Sequence, residues 1–332
     1  MGLNRTEILS LLRDAEKFVS GQELCDRYQV SRQAVWKAIN QLKEEGYQVE
    51  SVPNKGYRLL ESPDVLSLVE LESRMTTEVM GRPLYYYDVT GSTNVDVKRL
   101  ADEGATEGTL VVADRQTQGR GRRGRSWESP SGHSAYFTLL LRPAFAPEKA
   151  SMLTLLMAHS VALAIERIAG HETMIKWPND IVMNGKKVCG ILTEMTMEAE
   201  YMSHVVIGVG INVNQPSTET FPEEVREHAA SVFMISGRKV QRAQLVGLIM
   251  EQFEADYNAF CNCLDLTCIL DSYQAHLVNM GKQVRVLDPK GEYQGTAEGI
   301  NEVGELLVRM EDGTVRKVYA GEVSVRGLYG YV

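Results

Sequence analysis

The segment "RQTQGRGRRGR", residues 115–125, carries a dense positive charge. Five of its eleven residues are arginine, three are glycine and none is acidic. Guanidinium groups match the oxygen pairs of carboxylates and phosphates, and glycine lets a backbone approach a ligand closely. Because so many like charges repel one another, the segment predicts a flexible loop that orders over an anionic ligand as a lid. The loop by itself also fits an arm that binds RNA or DNA.

Three further stretches hold candidate polar groups: "TGSTN" at 90–94, "KWPNDI" at 176–181 with "KKVCGIL" at 186–192, and "GVGIN" at 208–212. Lys176, Asn179 and Asp180 surround a rigid Trp-Pro pair, which predicts polar groups fixed at a strand end beside a pocket. An ordinary turn is the alternative. Lys187 precedes an apolar run, as on a strand that enters the core, although a solvated lysine fits equally well.

Phosphate-binding motifs of the common kinds are absent from the sequence. It contains no GxxxxGK[ST], so a P-loop is excluded. "GVGINV" lacks the third glycine and the following helix of a dinucleotide fingerprint.

Residues 1–62 predict a winged helix-turn-helix. Three helical patterns are followed by two alternating strands around "PNKG", with Ser20 and Ser31 as caps of the second and third helices. The helix-turn-helix covers residues 21–40, and the outward face of the third helix offers donors for phosphates or base edges. These predicted DNA contacts are Arg32, Gln33, Trp36, Lys37 and Asn40. A small domain that binds proteins is the alternative.

The remaining chain predicts two further domains after a linker at 63–68. Residues 69–275 mix helical and strand patterns, with strands at 109–116, 136–143 and 205–213 and a helix over 150–169 that ends at Gly170. From residue 276 to 332 the pattern changes to five short strands separated by turns, which is typical of a small SH3-like β-barrel. The fold class is therefore an α+β multidomain protein.

Composition limits the partners and the compartment. The net charge of −9 means that binding of a polyanion must rely on a local patch. Five cysteines without a paired CxxC spacing favour reduced thiols over a disulfide framework or a metal site. The sequence shows no signal peptide and no 18-residue apolar run, so we expect a cytoplasmic protein that does not enter a membrane.

Taken in order and with their spacing, "GSTN", "QTQGRGRRGRSWESPSG", "KWPNDI", "KKVCGIL" and "GVGINVN" resemble the motif series of biotin–protein ligases. Together with the predicted winged helix, essentially all 332 residues resemble the bifunctional biotin ligases and biotin-operon repressors of bacteria. The resemblance implies a central α/β ligase domain with a mixed sheet, similar to class II aminoacyl-tRNA synthetases.

The resemblance also implies a reaction and its residues. Such enzymes use ATP and Mg²⁺ to convert biotin to biotinyl-5′-AMP, and then pass biotin to one lysine of a biotin carboxyl carrier domain. Catalytic roles would fall to Arg122, Lys187 and Asp180, with Asp180 orienting or deprotonating the acceptor lysine. Biotin would be bound by Ser92, Thr93, Asn94, Gln116, Arg120, Gly121, Arg122 and Lys187. ATP and the adenylate would be bound by Arg120, Arg122, Trp127, Lys176, Asn179 and Asn212. No dedicated metal ligands are evident.

Regulation follows from the same resemblance. The adenylate would act as corepressor by favouring a homodimer, whose two winged helices would bind an inverted-repeat operator. Two other functions remain open at this point. One is a ligand-sensing repressor without catalytic turnover, and the other is a lipoate or octanoate transferase, which shares the central fold.

Overall fold

A computed structural model describes residues 5–15, 17–198, 201–288, 291–320 and 324–327. The chain divides into two compact units, Met1–Met75 and Thr76–Val332. The outer ends of the predicted first and last domains, at 1–4 and 328–332, lie outside the described residues.

The first unit confirms the winged helix-turn-helix. Its elements are helices α1 (Arg5–Asp14), α2 (Gly21–Tyr28) and α3 (Arg32–Glu44), the hairpin β1 (Gln48–Val52) and β2 (Gly56–Glu61), and the short helix α4 (Leu68–Glu72). Ser20 accepts a hydrogen bond from the Glu23 N–H, and Ser31 accepts one from the Ala34 N–H, so both predicted caps are confirmed. The apolar faces of the three helices bury one core with the hairpin.

A buried carboxylate joins α4 to the rest of this unit. Glu70 is 1% exposed and accepts hydrogen bonds from Arg13 at 2.9 Å, from Arg74 at 3.0 Å and from the Tyr47 hydroxyl at 2.6 Å. The sequence places the start of the ligase domain at residue 69, whereas the division between the units falls after Met75. The contacts of Glu70 account for this difference, because they hold 68–72 within the first unit.

The second unit is built on a seven-stranded mixed sheet. Its strands are β3 (Leu84–Thr90), β4 (Leu110–Gln116), β5 (Ser134–Leu141), β6 (Met174–Lys176), β7 (Asp180–Met183), β8 (Lys186–Glu198) and β9 (Tyr201–Asn212), in the spatial order β3-β4-β5-β9-β8-β7-β6. Only the β3–β4 pair is parallel among the strand pairs described. This mixed sheet, predicted through the family resemblance, is confirmed.

Five helices accompany the sheet: α5 (Thr93–Asp102), α6 (Ala150–Ala169), α7 (Val232–Ser236), α8 (Arg242–Cys263) and α9 (Leu270–Ala275). Helix α6 ends where predicted, with Gly170 in the left-handed region. The segment Pro147–Ala169 is long and apolar enough to cross a membrane by length and composition alone. Most of it is buried inside the unit, however, and a core helix has the same apolar character.

The C-terminal part of the second unit forms a separate five-stranded antiparallel sheet. Its strands are β10 (Gln283–Asp288), β11 (Gly291–Ile300), β12 (Leu306–Arg309), β13 (Val315–Val318) and β14 (Ser324–Gly327), in the order β13-β12-β11-β10-β14. The number of strands is as predicted, while closure into an SH3-like barrel stays a prediction. The Trp177 indole N–H donates to Gly304 O at 3.1 Å and so anchors the "KWPNDI" stretch to this part of the unit.

Candidate active site

Most of the residues predicted to do chemistry converge on one cleft in the second unit. The cleft measures about 480 Å³ with its open solvent included. The beginning of α5, the end of β4, the arginine loop, the β6–β7 connection and strands β8 and β9 contribute its lining: Ser92, Thr93, Asn94, Gln116, Arg120, Gly121, Arg122, Trp127, Asn179, Lys187, Gly190, Ile191, Leu192, Gly208, Val209 and Gly210. Lys176, Asp180 and Asn212 lie outside this lining.

Short polar side chains form one part of the cleft, which we call the hydroxyl end (Ser92, Thr93, Asn94 and Gln116). Gln116 Oε1 accepts from the Thr93 N–H at 2.9 Å and lies 3.1 Å from the Thr93 hydroxyl. Gln116 Nε2 donates to Ser129 Oγ at 3.1 Å. These bonds tie the first turn of α5 to the end of β4. The hydroxyl end therefore presents fixed, uncharged hydrogen-bonding groups to a ligand.

Asn94 connects the hydroxyl end to a charged pair behind it. Asn94 Nδ2 donates to Glu194 Oε2 at 2.7 Å, and Lys98 Nζ donates to Glu194 Oε1 at 2.8 Å. Burial by itself would raise the pKa of Glu194. The hydrogen bonds from Asn94 and Lys98 and the charges of Lys98 and Arg120 outweigh that effect and leave the pKa below its usual value. The carboxylate is therefore a permanent acceptor for Asn94.

The arginine loop folds back on itself as a tight turn. Gly121 N–H donates to Arg125 O at 2.8 Å, and Trp127 N–H donates to Gly119 O at 2.9 Å. A Cβ atom on Gly119 would lie 2.3 Å from Trp127 O, so the turn requires glycine at this position. Within the loop Arg122 is half-buried, whereas Arg120, Arg123 and Arg125 are exposed.

Trp127, at the end of this loop, lies across two paired glycines. Gly190 of β8 and Gly210 of β9 face each other in the sheet register. A Cβ atom on Gly210 would lie 2.6 Å from Trp127 Nε1, and one on Gly190 would lie 3.0 Å from Trp127 Cζ3. The indole N–H is buried and has no hydrogen-bond partner among the described residues. The indole can therefore sit on the sheet only because both strands carry glycine there.

The cleft also has a charged part, which is lined by Arg122, Asn179 and Lys187. Together with Asp180, which is hydrogen-bonded to Asn179 and Lys187, we call these residues the charged end. Lys187 Nζ donates to Asp180 Oδ1 at 2.6 Å, and Asn179 Nδ2 donates to the same oxygen at 3.1 Å. Arg122 Nη1 donates to Asn179 Oδ1 at 2.6 Å. A continuous hydrogen-bonded chain thus joins the loop arginine to the strand lysine. Burial lowers the pKa of Arg122, an effect that the nearby Asp180 opposes.

Lys176 is buried next to the charged end. It faces Asp180 in the β6–β7 register. Burial lowers the pKa of Lys176 to about 8; the charge of Asp180 raises it, and the charges of Lys187 and Arg326 lower it further. Lys176 therefore loses its proton at a lower pH than an exposed lysine does.

Asn212, which was predicted to bind the nucleotide, lies outside the cleft lining. It is buried, and its Nδ2 donates to Ala230 O at 3.2 Å, next to a backbone bridge between Lys187 and Ala229. This geometry assigns Asn212 a contact that holds the 228–230 segment beside β8. Its predicted nucleotide contact stays a prediction.

The predicted DNA-binding residues share one face of the first unit. Arg32, Gln33, Trp36 and Lys37 of α3 are exposed, and Asn40 is partly exposed. Trp36 is 58% exposed, which is unusual for so large an apolar side chain. These residues leave the buried side of α3 to Val35, Ala38, Ile39 and Leu42.

Sequence reasoning missed Glu194, Thr138 and the paired glycines. The glycines did carry a signal, since isolated glycines inside an apolar strand mark a close approach of another group. Glu194 gave none, because the chain separates it from Asn94 by 100 residues.

Three family models match successive parts of the chain. An HTH domain matches residues 4–58, the biotin/lipoate A/B protein ligase family matches residues 86–212, and a biotin protein ligase C-terminal domain matches residues 280–326. The order of these models is the order of the predicted domains.

Two curated proteins show how much of the chain is shared. The chain is 42% identical to the bifunctional ligase/repressor BirA of Bacillus subtilis, over 97% of this chain and 98% of the relative. It is 31% identical to the biotin–[acetyl-CoA-carboxylase] ligase of Mycobacterium tuberculosis, over 70% of this chain and 85% of the relative.

The fold is similar to that of a solved enzyme. The biotin protein ligase from Aquifex aeolicus, solved in complex with biotin and ATP, superposes with a TM-score of 0.64 at 30% identity. The match covers 74% of this chain and 99% of the solved chain.

Proposed function

Because this chain belongs to the biotin protein ligase family, in its bifunctional ligase/repressor form, we propose that it is an ATP-dependent biotin–protein ligase and a transcriptional repressor. It joins biotin to AMP and then transfers biotin to a lysine of a biotin carboxyl carrier domain. One observation carries this proposal: Arg122 and Lys187, which are joined through Asn179 and Asp180, line the same cleft as the uncharged hydrogen-bonding groups of the hydroxyl end. Biotin has the matching polarity, with a neutral ureido ring at one end and a carboxylate at the other.

In the first step, a biotin carboxylate oxygen attacks the α-phosphorus of ATP, and pyrophosphate leaves as the bond to the β-phosphate oxygen breaks. Negative charge increases on the phosphoryl oxygens in the transition state. Lys187 and Arg122 are placed to stabilise it, and Arg120 and Gly121 close the same side of the cleft. Asn179 orients Arg122 through its 2.6 Å hydrogen bond. Lys176 adds positive charge close to the nucleotide.

In the second step, the amine of the acceptor lysine attacks the biotinyl carbonyl carbon, and AMP leaves with the bridging oxygen. The amine must lose a proton as the amide forms. Of the two roles predicted for Asp180, the orienting role has support in its contacts, because its Oδ1 already accepts from Lys187 and Asn179. We propose that Asp180 holds Lys187 on the reacting group.

The arginine loop acts as a lid on the mixed anhydride. Trp127 and Arg122 close the cleft from the loop side, and Trp127 packs on the sheet across Gly190 and Gly210. Excluding water in this way protects an acyl phosphate from hydrolysis until the carrier domain arrives. The Trp127 ring centroid lies 5.3 Å from Lys187 Nζ, and we propose that the indole shelters the adenine of the adenylate.

Mg²⁺ is expected with ATP. Within the described part of the chain, no group of three or more His, Cys, Asp or Glu side chains is placed to hold a metal. The described side chains therefore do not form a binding site for a resident metal ion. We therefore expect Mg²⁺ to enter as the counter-ion of the ATP phosphates.

The repressor activity resides in the first unit. Arg32, Gln33 and Lys37 on the exposed face of α3 contact the major groove, with Trp36 and Asn40 beside them. Biotinyl-5′-AMP favours a homodimer, which presents two such helices to an inverted-repeat operator. The protein acts in the cytoplasm, where ATP, carrier domains and operator DNA are all present.

A transfer assay tests the ligase. Purified protein, biotin, ATP, Mg²⁺ and a carrier domain should release pyrophosphate and attach biotin to a single lysine. Binding of biotin without release of pyrophosphate would instead identify a ligand sensor. Transfer of lipoate or octanoate in place of biotin would identify the related transferase.

A parallel measurement tests the repressor. Sedimentation and operator binding should both strengthen when biotin and ATP are added together, and biotin added without ATP should have a weaker effect. An association constant that the ligands leave unchanged rejects the corepressor role.

A further inference from the structure

A chain of close contacts runs from the hydroxyl end of the cleft to Glu194. The Thr138 hydroxyl is fully buried and lies 2.7 Å from both Thr93 Oγ1 and Asn94 Oδ1. Asn94 Nδ2 in turn lies 2.7 Å from Glu194 Oε2. A Cβ atom on Gly208 would lie 2.1 Å from Asn94 Oδ1, so the Asn94 amide rests directly on the β9 backbone.

The direction of each hydrogen bond in this series of contacts follows from its last residue, Glu194. An ionised carboxylate only accepts, so Glu194 must receive the Asn94 N–H, and the Asn94 oxygen must face Thr138. An amide oxygen also only accepts, so the single hydroxyl proton of Thr138 goes to Asn94. Thr93 must then donate to Thr138, since otherwise two oxygens would lie 2.7 Å apart without a proton between them.

The consequence is a hydroxyl group of fixed polarity in the cleft wall. With its own proton held by Thr138, Thr93 Oγ1 keeps its lone pairs for a ligand. Gln116 Oε1, which accepts the Thr93 N–H at 2.9 Å, lies 3.1 Å from the Thr93 hydroxyl. Because an amide oxygen can only accept, it can share the hydroxyl proton but takes up none of the lone pairs of Thr93 Oγ1. The hydroxyl end therefore selects a ligand group that donates an N–H or O–H.

We propose that Glu194 is a positioning residue, which acts through Asn94 and Thr138 to fix Thr93 as an acceptor for a ureido N–H of biotin. This inference rests on the proposed function, because it names the group of the substrate that the hydroxyl end recognises. Glu194 itself does not line the cleft.

Kinetics of substituted proteins test the proposal. Glu194→Leu should raise the KM for biotin about tenfold, the effect of losing one well-placed hydrogen bond in a buried site, with kcat and the KM for ATP unchanged. Glu194→Gln should restore the biotin KM, because its amide oxygen still accepts from Asn94. Glu198→Leu is the matched control, since Glu198 lies on the same strand and bonds only to the Tyr201 and Ser203 hydroxyls among its described contacts.

Two kinetic outcomes would overturn the proposal. One is an unchanged biotin KM in Glu194→Leu. The other is a parallel loss of kcat and of ATP affinity that Glu194→Gln fails to restore, which would indicate a merely structural role.

A ligand-free measurement separates this proposal from the proposed function. The side-chain amide resonance of Asn94, assigned by its loss in Asn94→Asp, should shift in Glu194→Leu and stay in place in Glu198→Leu. If the Asn94 resonance does not move in Glu194→Leu, the proposed role of Glu194 is rejected, even in a protein that turns over biotin. If the resonance shifts but the protein releases no pyrophosphate, the link between Glu194 and Asn94 is supported. The proposed ligase function is then rejected instead.

Discussion

The Lys187 ammonium lies 2.6 Å from Asp180 Oδ1, and only about a quarter of the lysine side chain is exposed to solvent. The same ammonium lies 5.3 Å from the centroid of the Trp127 ring. The contacts with the Asp180 carboxylate and the Trp127 ring restrict the movement of the Lys187 side chain. Since a preorganised charge stabilises a transition state without having to reorganise, this geometry suits a group that acts on a developing phosphoryl charge.

The first prediction separates the two possible roles of Asp180. Lys187→Ala should lower the rate of pyrophosphate release by roughly 10²–10³. Asp180→Ala should lower the same rate by about tenfold, because Lys187 loses the partner that aims it. Single-turnover measurements of each step give both values. Lys186→Ala is the control, since that neighbouring lysine is exposed and bonds to Glu227 O. An Asp180→Ala protein that is slow only in transfer would instead identify a base for the acceptor amine.

The second prediction concerns the lid. Arg122→Ala removes the hydrogen bonds from the loop to Asn179 Oδ1 and, at 3.4 Å, to Ala320 O. We expect an unchanged melting temperature and an adenylate that dissociates about tenfold faster, so that free biotinyl-5′-AMP accumulates in solution. Chromatography of the released nucleotide measures this. Arg125→Ala, which changes an exposed arginine of the same loop, should retain the adenylate. Retention by Arg122→Ala as well would reject the lid.

The third prediction uses the contact between Trp127 and the sheet. Gly210→Ala should weaken adenylate binding by about ten- to a hundredfold, because the new methyl group displaces the indole. In a Trp127→Ala background the same change should have little effect, since nothing is left to displace. A double-mutant cycle on the adenylate dissociation constant measures the coupling. Equal losses in both backgrounds would show that the methyl group disturbs the strand and not the indole.

Much of the fold could be predicted from local sequence. Ser20 and Ser31 cap helices where expected, and Gly170 ends α6, because each signal lies within one turn of the element that it controls. Helix α4 was missed. Its five residues are too few for a periodic pattern, and it is held by contacts of Glu70 with Arg13 and Tyr47 far back in the chain.

The candidate site was predicted unevenly for a similar reason. Most of the residues named from the motif series line one cleft, whereas Lys176, Asp180 and Asn212 lie outside its lining. Glu194 was missed because its link to Asn94 depends on how α5 packs against β8, which no local pattern encodes. The glycine pair at 190 and 210 depends on the register between β8 and β9, which residue spacing alone leaves open.

The fourth prediction concerns pH. Burial lowers the pKa of Lys176 to about 8 from an ordinary value of 10.5. Between these values the unfolded chain binds more protons than the folded one, so this lysine makes stability rise as pH increases from about 8 to 10.5. We therefore expect the free energy of unfolding of the wild type, relative to that of Lys176→Met, to be larger at pH 10 than at pH 7. Urea titration at the two pH values measures this difference. A constant difference between the two proteins would show that Lys176 titrates normally.

The fifth prediction concerns the first unit. Glu70→Ala removes the buried carboxylate that the largely buried side chains of Arg13 and Arg74 share. Removing one partner from a buried ion pair costs about 3–5 kcal/mol, so the first unit should lose about that much free energy of unfolding. Hydrogen exchange of the α3 amides reports this unit within the full chain. In Glu72→Ala, where the carboxylate lost is a surface partner of Thr6, protection should change by less than about 0.5 kcal/mol. Since α3 carries the predicted DNA contacts, Glu70→Ala should also weaken operator binding. If hydrogen exchange of the α3 amides is unchanged in Glu70→Ala, helix α4 is not needed for the stability of the first unit.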